Sequence, residues 1–382
     1  MILLLLVLST LVLYGVTAFL FGSFSQRRLE LGKEFGESGK QSLAKGDGAS
    51  AIHDLRISLS YAPDDAYNRL LLAEALAQMN HTDEARSYFL SLLEVQPADG
   101  FINLQLARLA RQRNDPQSAI QYYRASAVGN WNNAPIDERF QVQLELANYL
   151  IVQHRIPAAR AELLIAAADA PATIEDYTGL GGSFLDASDP QNALNQYQKA
   201  VKLDPRNTAA LLKAGRLEYQ MGNYAEASKL LATAHRAGSP ATLSDADSAE
   251  LETLTENSRR IQELTVGPDL PAHQRQEHLL GDLAIAKLRF KACRAQLDNG
   301  NALPATMQAL DAEWQTADPY MHGRPALDTD ADQNDADQAN AIKTVFDTEE
   351  VTEKLCGPPV GDDALLLVLA NASSGSLTPG SH

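Results

Sequence analysis

Small residues recur at fixed intervals between residues 39 and 234. Ala51, Ala85 and Ala119 stand 34 apart, and so do Ala159, Ala193 and Ala227. The step from Ala119 to Ala159 is 40, which marks an insertion of six residues. A second register keeps the same spacings: Gly39, Ala73, Ala107, then Ala147, Gly181 and Gly215. Four residues after each alanine of the first register comes a large residue: Leu55, Phe89, Tyr123, Leu163, Tyr197 or Leu231. Pro63, Pro97, Pro171 and Pro205 close units. A period of this length predicts a pair of antiparallel helices per unit. The two helices approach closely only where a small residue sits on each at the crossing, and the large residue fills the space between units. Proline cannot continue the second helix and sets the start of the next. No such pair buries its apolar face alone, so neighbouring units must stack.

The pattern resembles the tetratricopeptide repeat (TPR). Tyr177 to Pro205 carries Leu180-Gly181, Ala193, Tyr197, Ala200 and Asp204-Pro205, and Leu211 to Ala234 carries Gly215, Gly222, Tyr224 and Ala227 in the family's spacing. Six units in register cover residues 32–241. The resemblance implies an all-α, helical-hairpin solenoid that binds a protein or peptide on its concave face. Carried over residue by residue, the groove candidates are Arg108, Arg111, Gln112, Asn148, Ile151, Arg216 and Tyr219. The family's Lys/Asn clamp for a C-terminal carboxylate is not matched, because Lys40 lacks its companion asparagines. The chain also departs from the family at Trp131, where proline is expected, and at Glu218, where an aromatic is common. The stretch Val128 to Arg139 holds the insertion.

Ahead of the repeats, Ile2 to Phe24 is an uncharged run rich in Leu, Val and Phe, ended by Arg27 and Arg28. As a helix such a run reaches about 34 Å, enough to cross a hydrocarbon core of about 30 Å. A cleaved signal peptide would show a basic start and a shorter apolar run. Residues 1–26 are therefore expected to be an uncleaved transmembrane anchor, with membrane contact through residues 2–24. The cations Arg27, Arg28, Lys33, Lys40 and Lys45 all follow the run, which by the positive-inside rule puts the repeats in the cytoplasm. A short basic stretch ahead of Met1 would reverse that.

After Pro240, residues 242–265 read as a capping helix, with Leu251, Leu254, Ile261 and Leu264 near one face. Residues 270–370 read as a small helical module: a long helix from Pro271 to Leu297, a second from Glu349 to Leu355, and a helix or strand from Asp363 to Leu369. The acidic stretch 328–340 (DTDADQNDADQAN) is expected to be a linker, and 371–382 a disordered tail. Asp328, Asp330 and Asp332 begin like a calcium loop, but Gln333 and Ala339 break that pattern. The two cysteines, Cys293 and Cys356, both fall in this module. A bond between them would close a long loop and requires an oxidising compartment; unpaired buried cysteines are the alternative. The layout also resembles membrane-anchored TPR proteins of bacterial envelopes, acidobacterial ones among them, and that resemblance implies a single-pass inner-membrane protein with a periplasmic soluble domain.

Composition sharpens these expectations. Of 382 residues, 32 are Lys or Arg and 49 are Asp or Glu, a net charge of −17. That sign argues against nucleic acid as a partner, since phosphate binding needs clustered cations. Asp328 to His382 holds 11 acids and 2 lysines, so −9 of the charge lies in the final 55 residues and the repeats are nearer neutral. There is no phosphate loop, nucleophile elbow, H-E-x-x-H pair or dinucleotide fingerprint. His273 and His278 are five apart, the wrong spacing for a zinc pair on one helix face. No cofactor, metal or catalysis is expected. The leading expectation is a membrane-anchored scaffold for protein–protein interaction within a bacterial envelope complex. The alternative is an assembly enzyme, or an enzyme subunit, acting through the C-terminal module.

Overall fold

The computed structural model is all-α and describes residues 2–131, 137–237, 243–267, 269–298, 302–322 and 331–373. The chain divides into two compact units, Met1–Pro171 with Gly182–Asp189, and Ala172–Gly181 with Pro190–His382.

The first unit is a row of helical hairpins. The pairs are α1 (Ile2–Ala44) with α2 (Gly48–Tyr61), α3 (Ala66–Gln78) with α4 (Thr82–Val95), α5 (Gly100–Gln112) with α6 (Pro116–Ala127), and α7 (Asp137–Val152) with α8 (Ile156–Asp169). Acidic caps start many of these helices. The side chains of Asp47, Asp65, Asp99 and Asp115 accept from the backbone N–H of Ser50, Asn68, Ile102 and Ser118. Each such cap contributes about 1 kcal/mol. The helix α9 (Ile174–Asp186) is divided between the units at Gly181.

Each hairpin turns on one residue in the left-handed region. These are Gly46, Asn80, Asn114, His154, Ser188 and Gly222, with φ of 79°, 59°, 55°, 56°, 56° and 81°. Their spacings are 34, 34, 40, 34 and 34, the same as in the alanine registers. The residue after each turn donates its N–H to a carbonyl five positions back, as in Asp115 to Ala110 at 3.0 Å, Arg155 to Leu150 at 2.9 Å and Asp189 to Phe184 at 2.8 Å. This is how a helix end satisfies its last carbonyls. Only two of the six turn residues are glycine, so the regularity is hidden in the sequence.

The packing follows the small-residue registers with one correction. Ala51, Ala85, Ala119, Ala159, Ala193 and Ala227 are fully buried, as are Ala73, Ala107 and Ala147. The large residues, however, fill the crossing inside their own hairpin rather than only the space between units. A Cβ placed on Gly39 would lie 2.6 Å from Leu55 Cγ, on Gly181 2.5 Å from Tyr197 Cε1, and on Gly215 2.7 Å from Leu231 Cγ. Glycine on the first helix makes room for the large residue on the second.

The insertion is used structurally up to its described limit. Trp131 stacks where a Gly100 Cβ would be, 2.5 Å from the indole, and its Nε1 donates to the Ser126 carbonyl at 3.0 Å. Asp99 and Asn130 form a parallel backbone bridge. The remainder of the insertion, 132–136, lies outside the described residues.

The apolar run at the N-terminus occupies the first half of α1. The side chains of residues 1–9 and 12 lie outside the described ones. Among the described residues, no helix is long and apolar enough to cross a membrane.

In the second unit α10 (Pro190–Leu203), α11 (Thr208–Gln220) and α12 (Tyr224–Ala237) are followed by α13 (Asp245–Leu264), α14 (Ala272–Leu297), α15 (Ala305–His322), α16 (Ala331–Cys356) and α17 (Asp362–Ser373). Two features differ from expectation. The helix α15 was not anticipated, yet it supplies Met307, Leu310 and Trp314, all buried, to the core. The helix α16 begins at Ala331, inside the stretch expected as a linker, because no Gly or Pro interrupts it from there on and it runs into the buried Ala341 and Val345. Residues 328–330 of that stretch, and 374–382 of the expected tail, lie outside the described residues. The last segment is the helix α17 rather than a strand. Trp314 donates to Thr348 Oγ1 at 3.1 Å and lies 4.4 Å beneath the Lys287 ammonium. Cys293 and Cys356 are placed as a bonded pair with Cα atoms 5.7 Å apart, tying the end of α14 to the end of α16.

Candidate functional site

The repeat register brings the polar faces of α5 and α7 side by side in the first unit. Between them lies a groove of about 800 Å³, lined from α5 by Arg108 and Arg111 and from α7 by Gln141, Leu144, Glu145 and Asn148, with Tyr149, Val152, Gln153, Asn114 and Pro116 at one end. The lining is mixed, with amides and guanidinium groups beside apolar surface from Leu144, Val152 and Pro116.

Glu145 organises the charged part. It accepts from Arg108 Nη2 at 2.8 Å and Nε at 3.2 Å, from Arg111 Nη1 at 3.4 Å, and from the Tyr123 hydroxyl at 2.7 Å. Burial would raise its pKa, but the bonds from Arg108 and Tyr123 and the charge of both arginines outweigh that and hold it below the usual carboxylate range. Arg108 is held above the ordinary guanidinium value chiefly by its hydrogen bond to Glu145. Burial and the bond to Glu145 push the Tyr123 phenol well up, so it stays a donor. Two guanidinium groups share one carboxylate, which leaves the trio with one net positive charge. Arg111 has the longer contact to Glu145, at 3.4 Å, and its side chain is 49% exposed.

The sequence-derived candidates divide. Arg108, Arg111 and Asn148 line the groove together. Gln112 is exposed on α5 but does not line it, and Ile151 is half-buried against the hydrophobic core instead. Arg216 and Tyr219 lie in the second unit and are engaged there by α13. Arg216 pairs with Glu250 and, at 3.7 Å, with Asp247. Tyr219 packs edge-on to Tyr224 with ring centroids 5.3 Å apart, and burial raises its phenol pKa although Asn257 hydrogen-bonds to it. Glu145, Gln141 and Tyr149 were missed. Glu145 lies three residues before Asn148 on α7, the spacing that places two side chains on one helix face.

Comparison with known proteins agrees with this architecture. Residues 42–109 and 184–239 match the family model described as tetratricopeptide repeat. These two stretches carry tetratricopeptide repeats. Similar solved structures include the C-terminal part of a TPR repeat-containing protein from Cytophaga hutchinsonii, at 13% identity and a TM-score of 0.46, covering 64% of this chain and 92% of that one. PilW, a type IV pilus biogenesis factor, is 18% identical with a TM-score of 0.38 and coverages of 60% and 98%. YrrB, a TPR protein with an unusual peptide-binding site, is 17% identical with a TM-score of 0.36 and coverages of 49% and 95%. Likeness at this level carries no argument about function. No curated protein gives a significant match. Along the sequence α5 falls largely within 42–109, whereas α7, with Glu145 and Asn148, lies between the two matched stretches.

Proposed function

We propose that this TPR protein is a membrane-anchored scaffold that holds an extended segment of a partner protein in the groove between α5 and α7. The observation that carries the reading is the clustering of Arg108, Arg111, Gln141, Glu145 and Asn148 along one groove of about 800 Å³. Amide side chains can satisfy a partner's backbone, and Arg111 can take a carboxylate, while Leu144 and Val152 offer apolar contact. The uncharged run 2–24 followed by Arg27 and Arg28 supports anchoring to a membrane. Pairing of Cys293 with Cys356 suits an oxidising compartment, which favours a periplasmic domain within a bacterial envelope complex. A pull-down from membranes after crosslinking tests the reading: a discrete partner, reduced by Arg111→Glu, supports it, and recovery of no partner sinks it. An alkaline phosphatase fusion at the C-terminus should be active; a stable but inactive fusion places the domain in the cytoplasm. The second reading, an enzyme or enzyme subunit acting through the C-terminal helices, rests on the buried carboxyls Asp282 and Glu349. Loss of turnover in Asp282→Asn, for any reaction traced to this chain, would favour it.

A further inference from the structure

A second cavity lies wholly within the second unit, among α13, α14, α16 and α17. Its volume is about 170 Å³. The walls are chiefly apolar, with Leu264 from α13, Leu279 from α14, Val345 and Phe346 from α16, and Leu369 from α17. One carboxyl group opens onto this space, that of Asp282 on α14. The residue is 4% exposed, and among the described residues its Oδ1 has no hydrogen-bond partner. A buried carboxyl oxygen without a partner is costly, so its retention in an apolar pocket points to a group that completes it.

The charged neighbours do not do so. From α13, Arg260 is committed to Asp362 through bonds of 3.0 and 2.7 Å and to Glu263 at 2.8 Å. From α17, Asp362 adds a second negative charge. On α14 itself, His278 one turn earlier is engaged with the Thr265 carbonyl at 3.1 Å. The helix α16 contributes Ile342, Val345 and Phe346 to the lining. Burial raises the Asp282 carboxyl to about 8, with Arg260 opposing and Asp362 reinforcing the shift. It is therefore a neutral acid at pH 7, able to ionise when a cation arrives.

We propose that this pocket binds a small primary amine, its branched apolar body filling the cavity and its ammonium group pairing with Asp282. The size is right: an apolar cavity of about 150 Å³ holds benzene, so this one takes a body of about five to eight heavy atoms. The chemistry is right as well, because an ammonium gives a charge-assisted bond to the atom that lacks a partner. Binding balances as R–NH3⁺ plus the Asp282 acid giving the ion pair plus one proton released to solvent.

The test is calorimetric titration of the full chain with 3-methylbutylamine, 3-methylbutan-1-ol and 2-methylpentane, at pH 7 and pH 9, in buffers of differing ionisation enthalpy. The amine should bind about 10-fold or more tightly than the alcohol or the alkane, with up to one proton released at pH 7 and much less at pH 9. Asp282→Asn should abolish the preference for amine over alcohol. Equal binding of amine and alcohol overturns the proposal, as do failure of the amine to bind and binding without proton release at pH 7. These comparisons use the unmodified chain, so they decide the matter even where Asp282→Asn does not fold.

Discussion

Gly181 and Gly182 are neighbours on α9, and the packing predicts opposite responses to the same substitution. A Cβ at Gly181 would sit 2.5 Å from Tyr197 Cε1 and 2.8 Å from Cδ1 and Cζ, whereas a Cβ at Gly182 meets nothing within 4 Å. Tyr197 is 2% exposed, so its ring cannot swing into solvent to make room. Overpacking of this kind costs about 1–3 kcal/mol. Replacing a helical glycine by alanine returns about 0.5–1 kcal/mol of backbone entropy at either position. Gly181→Ala should therefore lose about 0.5–2 kcal/mol, while Gly182→Ala should gain about 0.5–1 kcal/mol. Urea denaturation followed by circular dichroism resolves a gap of this size. Gly215→Ala should behave like Gly181→Ala, because its Cβ would lie 2.7 Å from Leu231 Cγ. If Gly181→Ala stabilises the chain as much as Gly182→Ala, the account of the small register as the hairpin crossing is refuted.

The left-handed turn residues give a second prediction. His154→Gly and Ser188→Gly, at φ of 56° each, should each stabilise by about 1 kcal/mol, seen as higher urea midpoints; no gain would dispute the turn geometry. Reduction of the Cys293–Cys356 bond, 63 residues apart, should destabilise the second unit by about 4 kcal/mol on loop entropy, read by denaturation with and without reductant. Asp282 and Glu349 are both raised by burial to about 8, so the folded chain holds protons that the unfolded chain has released. Stability from this source is fully present below about pH 4 and is lost as pH rises to about 8, at up to about 1.4 kcal/mol per pH unit for each carboxyl. Trp314 fluorescence in a Trp131→Phe background reports it, and Asp282→Asn should flatten the slope; a slope of the opposite sign would contradict the burial argument.

The repeats were legible because their constraint is local and periodic. A small residue every 34 positions is a packing requirement written directly into the chain, and all six alanines of the first register are fully buried. The turn residues obey the same period but escape notice, since Asn, His and Ser substitute for glycine there. Arg108, Arg111 and Asn148 follow from the resemblance to the repeat family, and they do line one groove. Glu145 could not be ranked above its neighbours, because its importance lies in partners on α5 and α6. The C-terminal helices carry no repeat to fix their pairing, which is why α15 went unseen although it brings Trp314 into the core. For the same reason the isolation of Asp282 becomes visible only when four helices are assembled around it.

The most direct measurement of the central claim is site-specific photocrosslinking in native membranes. A photoreactive residue at Asn148, in the groove, is compared with one at Lys229 on α12, whose side chain is 73% exposed and outside the groove. A discrete crosslinked partner from position 148 that is absent from position 229, and weakened by Arg111→Glu, is the predicted result. The same products from both positions, or none from position 148, would contradict a partner-binding groove between α5 and α7.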